Sequence, residues 1–408
     1  MPIISFQEAQ NLNYALAIPD LETTEKSIYE AFGEILAIDL VCNRPLPAFD
    51  NSAMDGYALK SSDLGKKIRV VSTILAGEDI KNLEVLEGTC VKIMTGGMMP
   101  KGADLVIPFE DVEEIDGEFV TFGNSFKAGA NVRFKGEEKS LGSLIAKKGD
   151  KLTHGLIALI ASQGISKVSV YRKLKIGIYS TGDEIIEPGQ NASDHQIYNI
   201  NAAGIMALLS SYGHQVQYLG IFKDSLREHL EAIKTFVDYD VIITSGGASV
   251  GEADLLERSL CECGAKVVYH GINLKPGRPI MLATLGKCAI FALPGNPLSG
   301  ILNLNMIVIP ALERLRKANA FYPQPFYAQL KNPLKLKSGR VNMVLGRYDN
   351  GEFIAHNGGK YGSGAIDVIS SSNCVALMGE GVSLIQGDIR ILPYVMEFSD
   401  TINCIINE

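Results

Sequence analysis

The spacing of apolar residues divides the chain into four regions. Over residues 1–45 the apolar positions recur at helical intervals, most clearly through KSIYEAFGEILAIDLVC at 26–42. A second helical stretch, LTHGLIALIASQGI, ends at Gly164, the residue type that most often terminates a helix. The pattern therefore predicts a helical linker domain made of residues 1–45 together with residues 141–170.

Two regions contain short apolar runs with the composition of β-strands. Between residues 46 and 140, runs such as KIRVVSTIL and GTCVKIM are separated by Gly, Asp and Asn, which predicts a β-rich domain. The segment KANAFYPQPF has the composition of a linker. Residues 327–408, which follow it, are rich in glycine and short strands, so we expect a small C-terminal β domain.

Residues 171–320 alternate continuous apolar runs with helical segments. The runs KLKIGIYS, QVQYLGIF, DYDVIITS and CAIFAL are typical of buried strands. Strands that alternate with helices predict a parallel α/β sheet. The expected fold class is therefore α/β and multidomain, with a central parallel domain beside the helical, β-rich and C-terminal β domains.

Polar or glycine-rich loops follow three of these predicted strands. They are TGDE at 181–184, GGASVGEAD at 246–254 and PGNPLSG at 294–300. Open parallel sheets bind their ligands at the carboxyl ends of the strands. We therefore expect the three loops to face a common crevice.

Composition restricts the partners more than it restricts the reaction. The formal net charge is −8 over 408 residues, so no basic field recruits nucleic acid or an acidic membrane surface. No long uninterrupted apolar run predicts a membrane span, and the first ten residues lack the features of a signal peptide. The seven cysteines are scattered and the six histidines form no metal-spaced pair. We expect reduced thiols, no zinc and a cytoplasmic protein.

Acidic residues follow the predicted strands of the central domain. Asp183 and Glu184 lie in the first loop, Asp224 follows another strand, and Asp254 ends the second loop. Carboxylates gathered at one crevice would repel one another, and Mg²⁺ with phosphate oxygens would relieve that repulsion. The same residues could instead cap helices or lie in solvent.

Two motifs in the central domain suit an anion. In SGGASVGEAD, Gly246 and Gly247 permit close backbone approach and Ser249 can donate to an oxyanion, although an ordinary strand-to-helix turn has the same composition. In NLKPGRP, Lys275 and Arg278 lie on a turn braced by Pro and Gly. Two cations held in this way suit a tetrahedral oxyanion, and a solvated basic turn is the alternative.

The β-rich domain contains the segment PAFDNSAMDGYAL, which mixes carboxylates with large apolar residues. Phe49, Met54 and Tyr57 are expected to pack into the domain, and Gly56 to let the backbone pass close to a neighbour. Asp55 is then the residue that faces the chemistry. The other polar residues should fix the turn by local side-chain to backbone bonds, and they are Asp50, Asn51 and Ser52.

Seven motifs, taken in order, resemble those of the molybdopterin molybdenumtransferase family, the bacterial relatives of the gephyrin E domain. They are PAFDNSAMDGYA, MTGGMMPKGADLVIPFED, RFKGEE, STGDE, SGGASVGEAD, KPGRP and LPGNP. The resemblance implies insertion of molybdenum from molybdate into adenylylated molybdopterin, with Mg²⁺-dependent release of AMP. It implies a four-domain homodimer whose central domain is of molybdopterin adenylyltransferase type. Molybdopterin adenylyltransferase and molybdoenzyme chaperones are the further partners that it implies.

The resemblance also implies roles for particular residues. The catalytic residues would be Asp55, Thr95, Glu138 and Glu184. Substrate and nucleotide would be bound by Ser249, Gly246, Gly247, Pro294, Asn296 and Asn201. Molybdate would be held by Lys275, Arg278, Arg347, Ser363 and Arg133. The metal ligands would be Asp224, Asp254 and Glu184.

Three motifs depart from the family pattern. Arg278 stands where the family has Lys, which keeps a cation but changes its geometry. Glu138 stands where the family has Asp, so its carboxylate reaches further. Asn199-Ile200-Asn201 replaces Asp-Ser-Asn, which removes a carboxylate and a hydroxyl and keeps Asn201.

Two other functions fit parts of the sequence. The central domain alone would suit a molybdopterin adenylyltransferase, which consumes ATP with free molybdopterin and needs no molybdate. A gephyrin-like binding scaffold would retain a partner protein and insert no metal. The flanking domains and the PAFDNSAMDGYA motif favour a molybdenumtransferase over an adenylyltransferase. The lack of a long linker or an attached second module favours it over a binding scaffold.

Overall fold

The computed structural model describes residues 2–17, 19–248 and 255–394. Within them, three six-stranded sheets form the β-rich, central and C-terminal parts of the molecule. Short 3₁₀ turns interrupt the connections, at Ser61–Asp63, Phe109–Asp111, Lys234–Asp238 and His356–Gly359.

The linker region contains two short helices. Helix α1, Phe6–Tyr14, begins where the Ser5 hydroxyl accepts a hydrogen bond from the Glu8 backbone N–H at 3.1 Å. Helix α2, His154–Ala161, begins in the same way at Thr153. Each hydroxyl satisfies a backbone donor that the first helical turn leaves unpaired.

The helix predicted over residues 26–42 is wrong. Strand Thr23–Ser27 pairs antiparallel with Lys167–Tyr171, and Leu40–Val41 pairs with Leu144–Ala146. The residues between them form turns that include Gly33 at φ 76°, a left-handed conformation that ends a helix. Backbone pairing with a segment more than 100 residues away therefore overrides the local apolar spacing.

The β-rich sheet is built from residues 56–122. Its spatial order is Leu105–Pro108, Gly56–Leu59, Thr89–Ile93, Lys67–Ile74, Phe119–Phe122 and Val112–Asp116. A separate ladder pairs Asn51–Ser52 with Val132–Arg133. This ladder places the start of the PAFDNSAMDGYAL motif beside the RFKGEE motif.

The central sheet has the predicted strand–helix alternation. Its strands are β1 Ile176–Thr181, β2 Val216–Phe222, β3 Val241–Ser245, β4 Lys266–His270, β5 Met281–Leu285 and β6 Cys288–Leu293. The spatial order is β2-β1-β3-β6-β5-β4, in which β2, β1, β3 and β6 are parallel. A tight turn at Gly286 joins β5 to β6, so β5 runs antiparallel to β6, and β4 pairs antiparallel with β5 on its other side. The four strands predicted from apolar runs are thus the four parallel ones.

Helices cover this sheet and complete its core. They are α3 Ile200–Ser211, α4 Leu226–Ile233, α5 Leu255–Glu262, α6 Pro297–Asn303 and α7 Ile309–Leu315, with a π-helical turn at Leu304–Val308. The continuous helix Pro297–Leu315 is long and apolar enough to cross a membrane, but 89% of its apolar window is buried inside the fold. Such burial is typical of the core helix of a folded domain.

The C-terminal sheet is joined to the central domain by a strand. Its main strands are Phe326–Leu330, Val341–Asp349, Glu352–Ala355, Cys374–Met378 and Asp388–Pro393, and helix α8 is Ile366–Ser370. The pair Leu274–Lys275 adds to its edge, with Lys275 opposite Asn342. The KPGRP turn therefore lies at the junction of the two domains.

Candidate functional site

A cavity of about 540 Å³ lies at the carboxyl ends of strands β1, β2, β3 and β6. This volume is within the ~300–1,000 Å³ that is usual for small-molecule sites. All three loops predicted to share a crevice contribute to its wall. The predicted site residues on the wall are Glu184, Asp224, Gly246, Gly247, Pro294, Asn296 and Asn201.

One side of the cavity carries carboxylates close enough to interact. The Asp224 backbone N–H donates to Asp183 Oδ1 at 3.2 Å. Burial raises the pKa of the Asp224 carboxyl, and the nearby charges of Asp183 and Glu184 raise it further. A cation at this wall would offset that cost, so Glu184 and Asp224 fit a hard divalent ion that takes its other ligands from phosphate and water.

The structure does not describe every predicted metal ligand. Asp254, the third predicted ligand, lies outside the described residues, as does Ser249. Within residues 2–17, 19–248 and 255–394, no group of three or more His, Cys, Asp or Glu side chains is placed to hold a metal ion. Glu184 and Asp224 are thus the carboxylates of the predicted set that the structure places on the cavity wall.

The loop after β3 requires glycine at two positions. Gly246 has φ 94° and Gly247 has φ 72°. A Cβ atom at Gly246 would lie 2.5 Å from Thr181 Oγ1, and one at Gly247 would lie 3.0 Å from Leu256. The Gly246 backbone N–H also donates to the Leu293 carbonyl at 3.1 Å. The loop is therefore held between the ends of β1 and β6 and helix α5, with bare backbone on the cavity wall.

The loop after β6 forms the opposite wall. Asn296 precedes α6, and Pro297 occupies the first turn of that helix, as its sequence position suggests. The Asn201 side-chain amide donates to the Gly295 carbonyl at 2.7 Å, which fixes the loop to α3. The Ser363 carbonyl accepts a hydrogen bond from the Ser299 backbone N–H at 3.3 Å. Ser363, a predicted residue of the C-terminal domain, thus contacts helix α6 beside this wall.

The cations predicted to bind an oxyanion lie beside the cavity rather than on its wall. Pro279, next to Arg278, is part of the wall. Lys275 is exposed, and the Asn303 side-chain amide donates to the Gly277 carbonyl at 2.7 Å, which braces the turn. Arg278 is half-buried, and its Nε is buried without a hydrogen-bond partner in the described structure. Arg347 is exposed on the neighbouring C-terminal strand.

A second polar group forms in the β-rich domain. Asp55 Oδ1 accepts hydrogen bonds from both the backbone N–H and the hydroxyl of Thr95, each at 2.7 Å. These two bonds lower the pKa of the Asp55 carboxyl, the backbone bond more than the hydroxyl bond. Arg133 forms ion pairs with Glu137 and Glu138. The four predicted residues of this domain therefore form two pairs, Asp55 with Thr95 and Arg133 with Glu138.

The structure bears out part of the packing predicted for the PAFDNSAMDGYAL segment. Tyr57 is buried, but Met54 is 43% exposed, so its predicted packing is wrong. The adjoining turn places Met54 outside because the Ser52 hydroxyl bonds back to its carbonyl at 2.5 Å. A Cβ atom at Gly56 would lie 2.0 Å from the Ile107 carbonyl oxygen, so the close neighbour is the adjacent strand. Asp55 remains exposed.

The other polar residues of the segment fix its backbone. The Asn51 amide donates to the Phe49 carbonyl at 3.0 Å, which is the local bond expected. Asp50 instead accepts from the backbone N–H of Lys135 at 2.7 Å, a residue of the RFKGEE motif. The two motifs are thus tied together by Asp50 as well as by the short ladder.

Comparison with known proteins decides the family. The MoeA N-terminal region (domain I and II) matches residues 4–164, a probable molybdopterin binding domain matches 177–314, and the MoeA C-terminal region (domain IV) matches 327–388. The molybdopterin molybdenumtransferase of Haemophilus influenzae is 34% identical over 364 residues, which are 88% of this chain and 90% of that protein. One from Staphylococcus epidermidis is 33% identical over 74% of this chain and 73% of that protein.

The chain belongs to the molybdopterin molybdenumtransferase family. It is a transferase of molybdenum cofactor biosynthesis. A crystal structure of the molybdopterin biosynthesis MoeA protein of Pyrococcus horikoshii has a TM-score of 0.82 and 26% identity, covering 96% of this chain and 100% of that chain. A second structure of that protein has a TM-score of 0.76, 28% identity and 97% coverage of this chain and 100% of that chain. The family and the predicted multidomain α/β architecture are confirmed.

The departure from the family pattern at 199–200 changes the cavity wall. Asn199 is buried and makes only structural bonds among the described contacts: it caps α3, accepts from Ser180 and donates to Tyr218. Ile200 lines the cavity and is 43% exposed. The wall is therefore more apolar here than the family's Asp-Ser-Asn sequence would make it.

Sequence reasoning missed most of this apolar wall. Ile197 and Tyr198 are 58% and 44% exposed and line the cavity with Ile185. They belong to a short ladder of Ile185–Ile186 with Ile197–Tyr198, which lies just before α3. The apolar residues of the run QIYNI, set in an otherwise polar segment, were the signal that could have indicated it.

Proposed function

We propose that the protein inserts molybdenum from molybdate into the dithiolene of adenylylated molybdopterin and releases AMP in a Mg²⁺-dependent reaction. The observation that carries the proposal is the cavity at the carboxyl ends of the parallel strands. There a bare glycine backbone, suited to phosphate oxygens, faces a pair of carboxylates suited to a divalent cation. Family membership supplies the molybdopterin part of the substrate.

The proposed step conserves atoms and the oxidation state of molybdenum. The phosphoanhydride between AMP and the molybdopterin phosphate breaks with uptake of one water equivalent. Two sulfur–molybdenum bonds replace two oxygen–molybdenum bonds, and those oxygens leave as water after taking up protons. Mg²⁺, held by Glu184 and Asp224, would neutralise phosphate charge. Gly246 and Gly247 would position the phosphates, and no protein residue becomes covalently attached.

Molybdate would bind beside the cavity at the junction with the C-terminal domain. Lys275 and Arg278 lie on the braced turn there, and the unpaired Arg278 Nε is a buried donor that an oxyanion would satisfy. Arg347 and Ser363 would add further donors from the C-terminal domain. Four such donors would concentrate a dianion in spite of the net charge of −8.

The remaining predicted residues are best explained by a homodimer. Among the described residues, none of the 46–140 region lines the cavity. Two polar pairs, Asp55 with Thr95 and Arg133 with Glu138, nevertheless form in that region, and together they are called the Asp55 group. We propose that a second copy of the chain brings this group to the cavity, so that one complete site contains residues of both copies.

The assignment is tested by AMP release from adenylylated molybdopterin with molybdate and Mg²⁺. Lys275→Ala and Asp224→Asn should each lower turnover by about a hundredfold, the typical effect of losing a group that stabilises charge in the reaction. Lys287→Ala and Asp238→Asn are matched controls, because both residues lie at the opposite end of the central sheet. Wild-type turnover in Lys275→Ala and Asp224→Asn would refute the proposed function.

The same assay separates the two alternative functions. An adenylyltransferase would consume ATP with free molybdopterin and would not respond to molybdate. A binding scaffold would retain a partner protein in a pull-down and insert no metal. Either result would replace the proposed function.

A further inference from the structure

One buried histidine joins the two ends of the segment that follows β3. His270, the last residue of β4, is 4% exposed. Its Nε2 lies 3.0 Å from the carbonyl oxygen of Ala248, where the segment begins. Its Nδ1 lies 2.6 Å from Glu257 Oε2, in the first turn of α5, where the segment ends. The ring thus bridges two points nine residues apart in the chain.

Both neighbours of the ring are hydrogen-bond acceptors. A backbone carbonyl can only accept, and an ionised carboxylate can only accept. Nε2–H therefore donates to the Ala248 carbonyl. The other ring nitrogen, Nδ1, is paired with the Glu257 carboxyl group.

The bond to Ala248 acts directly on the cavity. Gly246, Gly247 and Ala248 line it. The upstream part of the loop is fixed by Gly246, whose N–H donates to Leu293 and whose carbonyl accepts from the Thr244 hydroxyl at 3.2 Å. Ala248, 1% exposed, is the position that His270 fixes. His270 itself is not on the cavity wall and would not touch the substrate.

We infer that His270 is a positioning residue, which holds the glycine loop in the conformation that receives the phosphates of the substrate. The inference rests on the proposed function for the identity of that substrate. The bond that matters is Nε2–H to the Ala248 carbonyl, and the bond to Glu257 orients the ring. A histidine that only anchored α5 would act through Glu257 instead.

Two substitutions at the same residue separate these roles. The side-chain amide of His270→Gln can occupy the position of Nε2 and keep the bond to Ala248. The shorter amide of His270→Asn can occupy the position of Nδ1 and keep the bond to Glu257. The two variants have similar polarity, so each serves as the control for the other.

Hydrogen exchange of the backbone amides of residues 244–248, measured residue by residue, provides a test that needs no substrate. His270→Gln should exchange like the wild type, and His270→Asn should exchange about tenfold faster, because the loop opens more often once Ala248 is released. Equal protection in both variants, or faster exchange in His270→Gln than in His270→Asn, would overturn the inference. An equal loss of protection in both variants, together with a lower melting temperature, would show that His270 only packs in the core. That result would also overturn the inference.

Steady-state kinetics then connects the loop to the substrate. His270→Asn should raise the KM for adenylylated molybdopterin about tenfold with kcat within about twofold of the wild type, as expected for the loss of an interaction present in both ground and transition states. His270→Gln should restore the KM. A change confined to kcat would contradict the role. A wild type that releases no AMP would refute the proposed function, whereas the hydrogen exchange would still decide the role of His270.

Discussion

At the scale of single residues, Asp55 is an exposed carboxylate that its neighbours hold in one orientation. It is exposed, yet one of its oxygens is held by two hydrogen bonds from Thr95. Those bonds favour the ionised form and leave the second oxygen free of protein partners within the described residues. An ordered carboxylate facing outward suits the handling of charge or protons on a ligand.

Asp55→Asn should leave the fold intact and lower molybdenum insertion by about a hundredfold, the size typical of a lost acid–base group. The amide oxygen can still accept from Thr95, so the geometry is retained while the charge is removed. Molybdenum incorporation and the thermal midpoint should be measured together. Full activity in this variant would remove Asp55 from the site.

The Asp224 carboxylate is expected to lower the thermal stability of the protein at neutral pH while it supports Mg²⁺ binding. Its folded pKa is raised, so its favourable contribution to folding is present below the usual value of 3.8 and is lost as the pH rises through the folded pKa. At neutral pH, Asp224→Asn should therefore show a slightly higher thermal midpoint without Mg²⁺, since the exposed position limits the effect through solvent screening. It should also require more Mg²⁺ for AMP release. A lower midpoint with an unchanged Mg²⁺ requirement would contradict both points.

At the scale of elements, a buried ionic network joins the linker region to the central domain. Arg316 donates to Glu313 at 3.0 Å and to the Gly33 carbonyl at 2.9 Å, and Lys151 lies 3.4 Å from Glu313. His214 lies 3.2 Å from the same carboxylate. Burial alone would raise the pKa of Glu313, but these neighbours lower it to about 2. The helix α7 is thus tied to turns of a different domain.

Glu313→Gln should lower the free energy of unfolding by about 3 kcal/mol at neutral pH. This value is the free-energy equivalent of the change in the Glu313 pKa on folding. The pKa of Glu313 is lowered in the fold, so its contribution is present above about 4.5 and is lost as the pH falls toward about 2. Calorimetry at several pH values should show the two proteins converging in acid. A constant difference down to pH 3 would contradict the role of the charge.

The elements also show what sequence could and could not predict. The four parallel strands and their loops followed from continuous apolar runs, because a strand buried on both faces needs them. The false helix at 26–42 arose because Ile28, Ala31 and Ile35 are buried at helical spacing on a turn. Pairing of Thr23–Ser27 with Lys167–Tyr171 fixes that region, and partners so distant in the chain leave no local signal.

At the scale of the whole molecule, the motifs predicted for one site occupy two places. The cavity group belongs to the central domain, and the Asp55 group belongs to the β-rich domain. The order of motifs in the sequence indicated that both serve one function. It carried no information on whether they meet within one chain or across two, because that depends on surfaces brought together only after folding.

Mixing two inactive variants tests the shared site. Asp55→Asn and Lys275→Ala homodimers should each be nearly inactive. If each complete site takes one group from each copy, random re-association should restore about a quarter of wild-type activity, because about half of the dimers are mixed and each has one intact site. No recovery after demonstrated exchange of copies would place both groups in a site of one chain.

Measuring both products of one reaction tests most directly whether AMP release and molybdenum insertion are coupled. Adenylylated molybdopterin should be incubated with the protein, Mg²⁺ and molybdate, and AMP and dithiolene-bound molybdenum should be quantified in the same sample. We predict equal amounts of the two products, and little AMP when molybdate is omitted. AMP release that is independent of molybdate, or molybdenum insertion without AMP, would contradict the proposed function.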